Sequence, residues 1–268
     1  MANAPAGFDP LDDFERTPYT ALGSTRQVYR KGSGPAVVVI SEMPGITPEV
    51  AGFARKVAGV GLTAVMPHMF GEDGRPFSPG YVAGSMARAC ISREFTILAK
   101  RRTSPVTAWL RALAKDEHAR CGGPGVGAVG MCFTGGFALA MMVDDVMVAP
   151  VLSQPSLPFP TSAGNRRDLG ISDADLAVVK ARAAEGTCLL GLRFTGDKAS
   201  PPERFAHLRE ELGDAFIGVE LDSSPGNPHD HKRSAHSVLT SDLDDRPGTP
   251  TREALDQTLT FFTDRLLG

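Results

Sequence analysis

The stretch that most constrains the fold of this chain runs from residue 126 to residue 142 and reads VGAVGMCFTGGFALAMM. A short apolar run leads into Cys132, several small residues follow, and a second apolar run closes the stretch. This order predicts a buried strand, a sharp turn and a helix. The spacing is that of a nucleophile elbow, G-x-S-x-G, with cysteine at the position of the nucleophile.

The residues around Cys132 are small, as such a turn requires. Gly130 stands two residues before the cysteine, and Thr134 occupies the position of the second glycine, with Gly135 and Gly136 directly after it. A helix beginning here would aim its N-terminal N–H groups at the sulfur and favour the thiolate. The alternative is a cysteine that only packs as a small apolar side chain.

Apolar strand patterns and helical patterns alternate along the chain, which predicts an α/β fold with a mostly parallel central sheet and helices on both faces. The predicted strands cover residues 36–40, 62–66, 126–131, 146–152, 188–195 and 215–221, with weaker strand character at 20–29. The predicted helices cover residues 48–59, 81–100, 105–118, 172–185, 201–212 and 252–267, with Thr47, Ser104 and Ser172 as N-caps. We expect one domain over residues 1–268, with an irregular arm at 1–18 and a Pro-rich surface loop at 153–170 beside the site.

Composition narrows the class of protein. The net charge of −3 over 268 residues gives no reason to expect nucleic acid or an anionic membrane as a partner. No apolar run reaches about 18 residues, and no export signal opens the chain, so we expect a cytoplasmic protein. The four cysteines lack C-x-x-C spacing and are expected to be reduced thiols.

Four polar residues follow four different predicted strands, namely Glu42, Cys132, Asp197 and His236. The carboxyl ends of parallel strands meet at one edge of a sheet, where active sites of such folds lie. The last three stand in the order nucleophile, acid, histidine. A thiol needs a base, and the imidazole needs a carboxylate to fix its tautomer and stabilise its charge. We therefore predict a Cys132–His236–Asp197 triad, with Asp222 as the alternative acid.

Two further patterns suggest a cofactor, and neither fits its context. Residues 125–130 match G-x-G-x-x-G, but the glycines run through the predicted strand instead of opening a helix, so we expect no dinucleotide. His229 and His231 lie in a loop with no third ligand at a firm spacing, so we expect no metal.

Four segments together resemble the dienelactone hydrolase family over roughly residues 20–265. They are SEMPG at 41–45, SRE at 92–94, GMCFTGG at 130–136 and AHS at 235–237. The resemblance implies the α/β-hydrolase fold and a carboxylic ester hydrolase similar to carboxymethylenebutenolidase. Asp197 fits the acid position of the family.

The resemblance also implies roles outside the triad. Glu42 corresponds to a glutamate that contacts the resting nucleophile and helps to generate the thiolate. The backbone N–H groups of Met43 and Phe133 would form the oxyanion hole. Arg93 matches one of two arginines that bind the carboxylate of the substrate.

One departure bears on the substrate. The second carboxylate-binding arginine of the family lies four residues after the histidine, and this chain has Thr240 there. Arg233 and Arg166 are the candidates to replace it. The sequence therefore favours a general carboxylesterase or lactonase over a strict dienelactone hydrolase.

The resulting hypothesis is a soluble, cofactor-independent enzyme, monomeric or homodimeric, that hydrolyses a small ester or lactone through a thioester intermediate. A non-catalytic protein of the same fold that binds a small molecule is the first alternative. A thiol-exchange protein is the second, and the lack of a nearby resolving cysteine weighs against it.

Overall fold

The computed structural model describes residues 6–91 and 101–268 of the chain, and in them eight strands form one sheet. The strands are β1 (Glu15–Ala21), β2 (Ser24–Gly32), β3 (Ala36–Ile40), β4 (Thr63–Pro67), β5 (Val126–Met131), β6 (Met147–Ser153), β7 (Leu189–Phe194) and β8 (Phe216–Leu221). Their order across the sheet is β1-β2-β4-β3-β5-β6-β7-β8. The pairs β1–β2 and β2–β4 are antiparallel and all other pairs are parallel, which confirms the predicted sheet.

Helices cover both faces of this sheet. They are α1 (Pro48–Gly59), α2 (Pro79–Ile91), α3 (Val106–Cys121), α4 (Phe137–Met141), α5 (Ala163–Arg167), α6 (Asp173–Ala184), α7 (Pro202–Leu212) and α8 (Pro250–Leu266). Successive residues of a strand point to opposite faces. Val38 and Ile40 of β3 accordingly pack in a core with α3, α4 and α7, whereas Val37 and Val39 pack in a second core with α1 and α8. All four side chains are fully buried, as the continuous β-branched run predicts.

The hairpin β1–β2 corrects the prediction of an irregular arm at residues 1–18. Residues from Glu15 onward belong to β1, which pairs with β2 through a turn at Leu22 and Gly23. Both turn residues have positive φ, as a tight two-residue hairpin requires. The strand is a polar, mostly exposed edge, so its sequence shows no apolar alternation.

Two predicted helix boundaries are also revised. The sequence predicts Ser104 as the cap of α3, but the helix begins at Val106, and the N-cap Pro105 makes no side-chain hydrogen bond. The helix predicted at residues 81–100 is observed as α2, Pro79–Ile91, and residues 92–100 lie outside the described part. By contrast, Thr47 and Ser172 cap α1 and α6 as predicted.

The Pro-rich segment at 153–170 is not the surface loop that the sequence predicts. Its first residues, including Gln154 and Leu157, are buried, and it contains α5. Arg204 of α7 is 1% exposed and donates hydrogen bonds to four backbone carbonyls, those of Pro155, Pro158, Asn165 and Asp168. The hydrogen bonds of this one buried guanidinium thus hold the segment against α7.

No helix in the described ranges is long and apolar enough to cross a membrane.

Candidate active site

Cys132 lies at a sharp turn after β5, at the carboxyl edge of the sheet. A single 3₁₀ turn, Cys132–Thr134, follows the strand, and Cys132 has φ +51°, a region that residues other than glycine rarely adopt. A Cβ atom at Gly130 would lie 2.2 Å from the carbonyl oxygen of Thr134, so the turn closes only over a glycine. The half-buried sulfur therefore stands on strained backbone, as the elbow pattern predicts.

Thr134 anchors the turn from the position where the pattern has glycine. Its buried hydroxyl donates to the carbonyl of Ile40 at 2.9 Å and accepts from the N–H of Met131 at 3.0 Å. The position that must lack a side chain is the next one, Gly135, because a Cβ atom there would lie 2.4 Å from the Cα of Pro155. The turn is thereby tied to β3 on one side and to the Pro-rich segment on the other.

The helix predicted behind the cysteine is present and short. After the 3₁₀ turn the chain forms the five-residue helix α4, which begins at Phe137 and not at the turn itself. The favourable effect of helix N–H groups on the sulfur stays a prediction. The small residues at 134–136 are used for close packing rather than for the first turn of a helix.

Asp197 and His236 meet in the way the sequence predicts. Asp197 lies in the turn after β7, and its Oδ2 is 2.7 Å from Nδ1 of His236, on the segment after β8. Asp197 is 7% exposed, and its Oδ1 accepts from the N–H of Ala199. Asp242 in turn accepts a hydrogen bond from the backbone N–H of His236 at 2.8 Å. The alternative acid, Asp222, is exposed and caps the N–H of Ser224 instead.

His236 is electrostatically coupled to both partners. Burial lowers the pKa of His236, but the charge of Cys132, the hydrogen bond to Asp197 and the hydrogen bond with Cys132 together raise that pKa well above its usual value. Because Nδ1 faces the carboxylate, Nε2 is left for proton exchange on the other side of the ring. The structure thus brings Cys132, His236 and Asp197 together.

Glu42 follows β3 and is buried at 4% exposure. Its Oε2 accepts hydrogen bonds from Gln154 Nε2 at 3.1 Å and from Ser237 Oγ at 2.7 Å, and its Oε1 accepts one from the hydroxyl of Thr240. Burial raises the pKa of Glu42, and these three donors and the charge of His236 offset only part of this effect. The contact with the resting nucleophile that the resemblance implies is not among the hydrogen bonds of this carboxylate in the described ranges.

The partners of Glu42 are residues that the sequence does not assign to the site. Thr240 stands out in the sequence only as a departure at an arginine position, and Ser237 only as a neighbour of the histidine. Gln154 carries no sequence signal, because it lies in a segment that is expected on the surface. Its burial depends on contacts that are distant in the chain.

The remaining predicted residues lie as follows. Met43 and Phe133 are buried next to Glu42 and Cys132, and their role as oxyanion donors stays a prediction. Arg93 lies outside the described residues. Arg166 forms a two-point ion pair with Glu203, at 2.8 and 3.0 Å, and is therefore engaged elsewhere.

A cavity of about 610 Å³ opens beside the histidine and carries two cations. Its lining consists of Gly196, Asp197, Lys198, Ala199, Arg233, Ser234 and His236. Arg233 is thus the one of the two alternative clamp arginines that faces this space. In the described ranges no cluster of three or more His, Cys, Asp or Glu side chains could hold a metal, and the ring of His231 packs against Phe194.

A family model for the dienelactone hydrolase family matches residues 23–263. The chain belongs to the dienelactone hydrolase family. The family consists of hydrolases with the α/β-hydrolase fold, so both the fold class and the general class of enzyme follow from membership. A search of curated protein sequences finds no significant match.

Solved structures similar to this member of the dienelactone hydrolase family share its fold at low sequence identity. A putative dienelactone hydrolase from Klebsiella pneumoniae subsp. pneumoniae has 16% identity and a TM-score of 0.61, over 93% of this chain and 98% of that one. A dienelactone hydrolase-like promiscuous phosphotriesterase from metagenomic libraries has 16% identity and a TM-score of 0.58, over 94% and 98%. A cold-adapted esterase from an Arctic intertidal metagenomic library has 14% identity and a TM-score of 0.55, over 94% and 93%.

Proposed function

We propose that this protein hydrolyses a small carboxylic ester or lactone by covalent catalysis at Cys132, with His236 and Asp197 as its proton-transfer pair. The observation that carries the proposal is the 2.7 Å contact between His236 Nδ1 and Asp197 Oδ2, next to a cysteine on a strained turn. A histidine oriented by a buried carboxylate and coupled to a thiol is the arrangement that activates a sulfur nucleophile.

In the proposed first half-reaction His236 takes the thiol proton of Cys132, and the resulting thiolate attacks the carbonyl carbon of the ester. The carbonyl oxygen becomes an oxyanion, which the backbone N–H groups of Phe133 and Met43 stabilise. Collapse of this intermediate breaks the bond to the leaving oxygen, which takes a proton from His236. The acyl group is then held on sulfur as a thioester.

In the second half-reaction water replaces the leaving group. Neutral His236 takes a proton from water as the hydroxide attacks the thioester carbonyl, and the same N–H groups stabilise the second oxyanion. The carboxylic acid leaves and the thiolate of Cys132 forms again. Asp197 keeps the imidazole in one tautomer and stabilises its cationic form in both halves.

A cavity lies beside His236 and Asp197, and Cys132 is not among its lining residues, so it bears on the part of a small substrate that lies next to the histidine. Its volume of about 610 Å³ lies in the range of small-molecule sites. Lys198 and Arg233 lie in its lining and supply positive charge there. Arg233 is a candidate for the role of the arginine that Thr240 replaces, beside Arg93, for which the resemblance implies the same contact.

Turnover of p-nitrophenyl acetate, small lactones and a dienelactone tests this function. We expect Cys132→Ala to lower kcat/KM by about 10³-fold or more, because the nucleophile is lost while the fold is kept. The matched control is Cys188→Ala, which removes a thiol outside the site and should leave turnover unchanged. Undiminished turnover in Cys132→Ala would reject the mechanism. An inactive wild type that binds these compounds would favour a non-catalytic binding protein.

A further inference from the structure

One short segment contacts the positions of both proposed oxyanion donors. It covers residues 69–74, lies shortly after β4 at the carboxyl edge of the sheet, and is named the Phe70 segment after its second residue. Met69 and Phe70 are buried. None of its residues belongs to the site that the sequence predicts. The Phe70 segment is therefore an interior neighbour of the site and not an exposed loop.

The first contact of the Phe70 segment is with the loop that carries Met43. A Cβ atom at Gly71 would lie 2.0 Å from the carbonyl oxygen of Pro44. In the other direction, a Cβ atom at Gly45 would lie 2.5 Å from the carbonyl oxygen of Phe70. The two stretches thus meet backbone to backbone, with no room for either to move toward the other. The chain directly after Met43 is fixed by this contact.

The second contact is with Phe133. The ring of Phe70 meets the ring of Phe133 edge to face, with 5.8 Å between the ring centres and 80° between the ring planes. Phe133 is fully buried and directly follows Cys132 in the 3₁₀ turn. Aromatic pairs in this geometry attract each other and have a preferred orientation. Phe70 therefore contacts one donor residue through its side chain and the loop of the other through its backbone.

The Phe70 segment is itself anchored on its outer side. The buried Tyr81, on α2, donates its hydroxyl to the carbonyl of Glu72 at 2.9 Å, and the same hydroxyl accepts from the N–H of Glu72. Asp73 accepts a hydrogen bond from the hydroxyl of Tyr29, on β2, at 2.9 Å. These bonds tie the segment to α2 and to the hairpin, so that it keeps its place against the Met43 loop.

The N–H of Met43 is left for a ligand. Within residues 6–91 and 101–268 no acceptor receives a hydrogen bond from it, although Met43 is buried. Buried N–H groups are nearly always paired, whereas those of an oxyanion hole find their partner in the charge that develops during the reaction. No hydrogen bond of its own fixes this N–H, so its position depends on the packing of the residues next to it.

We propose that Phe70 and Gly71 are positioning residues that set the distance between the two oxyanion donors, the backbone N–H groups of Met43 and Phe133. The inference rests on the proposed thioester mechanism. Both residues act through the donors and not on the substrate itself. Loss of one oxyanion donor costs about 10²- to 10³-fold in kcat, so we expect a displaced donor to cost part of that factor.

Gly71→Ala tests the backbone contact, because its Cβ would push against the carbonyl of Pro44. The matched control is Gly23→Ala. Gly23 has a similar positive φ, +76° against +82° for Gly71, and a Cβ there would meet no atom within 4 Å. With p-nitrophenyl acetate we expect Gly71→Ala to lower kcat about 10- to 100-fold with little change in KM, and Gly23→Ala to change neither. Equal kcat values in the two variants would overturn the proposal.

Phe70→Leu tests the ring contact and decides the matter if Gly71→Ala does not fold. It removes the aromatic edge and keeps an apolar side chain. The matched control is Phe53→Leu, because Phe53 of α1 is equally buried but packs in the core on the other face of the sheet. We expect Phe70→Leu to lower kcat about 10-fold and Phe53→Leu to keep it, at a temperature where circular dichroism shows both folded. The same fall in kcat for both variants would contradict the proposal.

Alkylation of Cys132 by iodoacetamide distinguishes a displaced oxyanion donor from a damaged triad. The thiolate displaces iodide at a saturated carbon and no oxyanion forms, so this reaction needs the sulfur and His236 but neither N–H group. Peptide mass spectrometry follows Cys132 alone. We expect Gly71→Ala and Phe70→Leu to alkylate within about twofold of the wild-type rate while their ester turnover falls. An alkylation rate that falls together with turnover would overturn the proposal, because the change would then act on the sulfur or the histidine.

The proposed function and this inference fail on different results. A wild type without ester turnover, or a Cys132→Ala variant with undiminished turnover, removes the function and the oxyanion donors with it. Turnover that is lost in Cys132→Ala but unchanged in both Gly71→Ala and Phe70→Leu keeps the function and removes the inference alone.

Discussion

At the scale of single residues, the acid of the triad is the clearest case of chemistry set by position. Asp197 and Asp222 both follow strands, and the sequence leaves the choice between them open. The first is buried against His236, whereas the second is exposed and caps its own turn. A carboxylate raises the pKa of an imidazole only where it is close and shielded from water.

Replacement of Asp197 by asparagine tests this assignment. We expect kcat to fall by about 10³- to 10⁴-fold, because the amide neither fixes the tautomer nor stabilises the imidazolium. The carboxylate raises the pKa of His236, so its removal should lower that pKa and move the basic limb of the pH–rate profile to lower pH. Both effects are read from kcat and kcat/KM between about pH 5 and 10.

Asp222→Asn is the matched control for this measurement. It makes the same change on an exposed carboxylate after the neighbouring strand, so rate and profile should stay those of the wild type. If Asp222→Asn lost the activity and Asp197→Asn kept it, the assignment of the acid would be wrong.

At the scale of elements, the elbow depends on contacts that allow no Cβ. A methyl group at Gly130 would collide with the carbonyl oxygen of Thr134 at 2.2 Å, and backbone cannot rotate away as a side chain can. We therefore expect Gly130→Ala to destabilise the protein by about 1–3 kcal/mol. Activity should fall as well, because the change displaces the turn that carries Cys132. Urea unfolding followed by circular dichroism measures the first effect.

Gly52→Ala provides a control that is expected to raise the free energy of unfolding. Gly52 lies inside α1, and a Cβ there would meet no atom within 4 Å. Alanine should stabilise the helix by about 0.5–1 kcal/mol without changing turnover. A Gly130→Ala protein as stable as Gly52→Ala would show that the turn tolerates a side chain and that the elbow is less tightly closed than described.

The elements that the sequence predicts well are those whose signals are local. Thr47 followed by Pro48 marks the beginning of α1, and a run of β-branched residues marks β3. The edge strand β1 has no such signal, because hydrogen bonds to β2 stabilise it and its side chains stay mostly exposed.

The residues of the site also fall into those that the sequence predicts and those that it does not. Cys132, Asp197 and His236 can be predicted together because each follows a strand, and the parallel sheet brings strand ends to one edge. Gln154 cannot, because its buried partners, the carboxylate of Glu42 and the carbonyl of Leu192, lie far from it in the chain. The hydrogen bonds of Glu42 likewise join residues more than 100 positions apart, which no local pattern reveals.

At the scale of the whole molecule, one continuous sheet joins the N-terminal hairpin to the proposed catalytic loops. The hairpin is attached through β2 to β4 and through a buried ion pair between Arg30 and Glu117 of α3, with 2.7 Å between Nε and Oε1. Trp109, also on α3, is 3% exposed and donates to the carbonyl of Ser24. We therefore propose that residues 1–268 form a single domain that unfolds as one unit.

One local probe and one global probe test this proposal in a single urea titration. The fluorescence of Trp109, the only tryptophan in the sequence, reports on the contact between α3 and the hairpin. Far-UV circular dichroism reports on all elements. We expect two coincident transitions with one midpoint, because unfolding of the hairpin alone would break the buried Arg30–Glu117 pair and the pairing of β2 with β4. A tryptophan transition at clearly lower urea would instead make the hairpin a separate unit, and the catalytic edge would then have to fold without it.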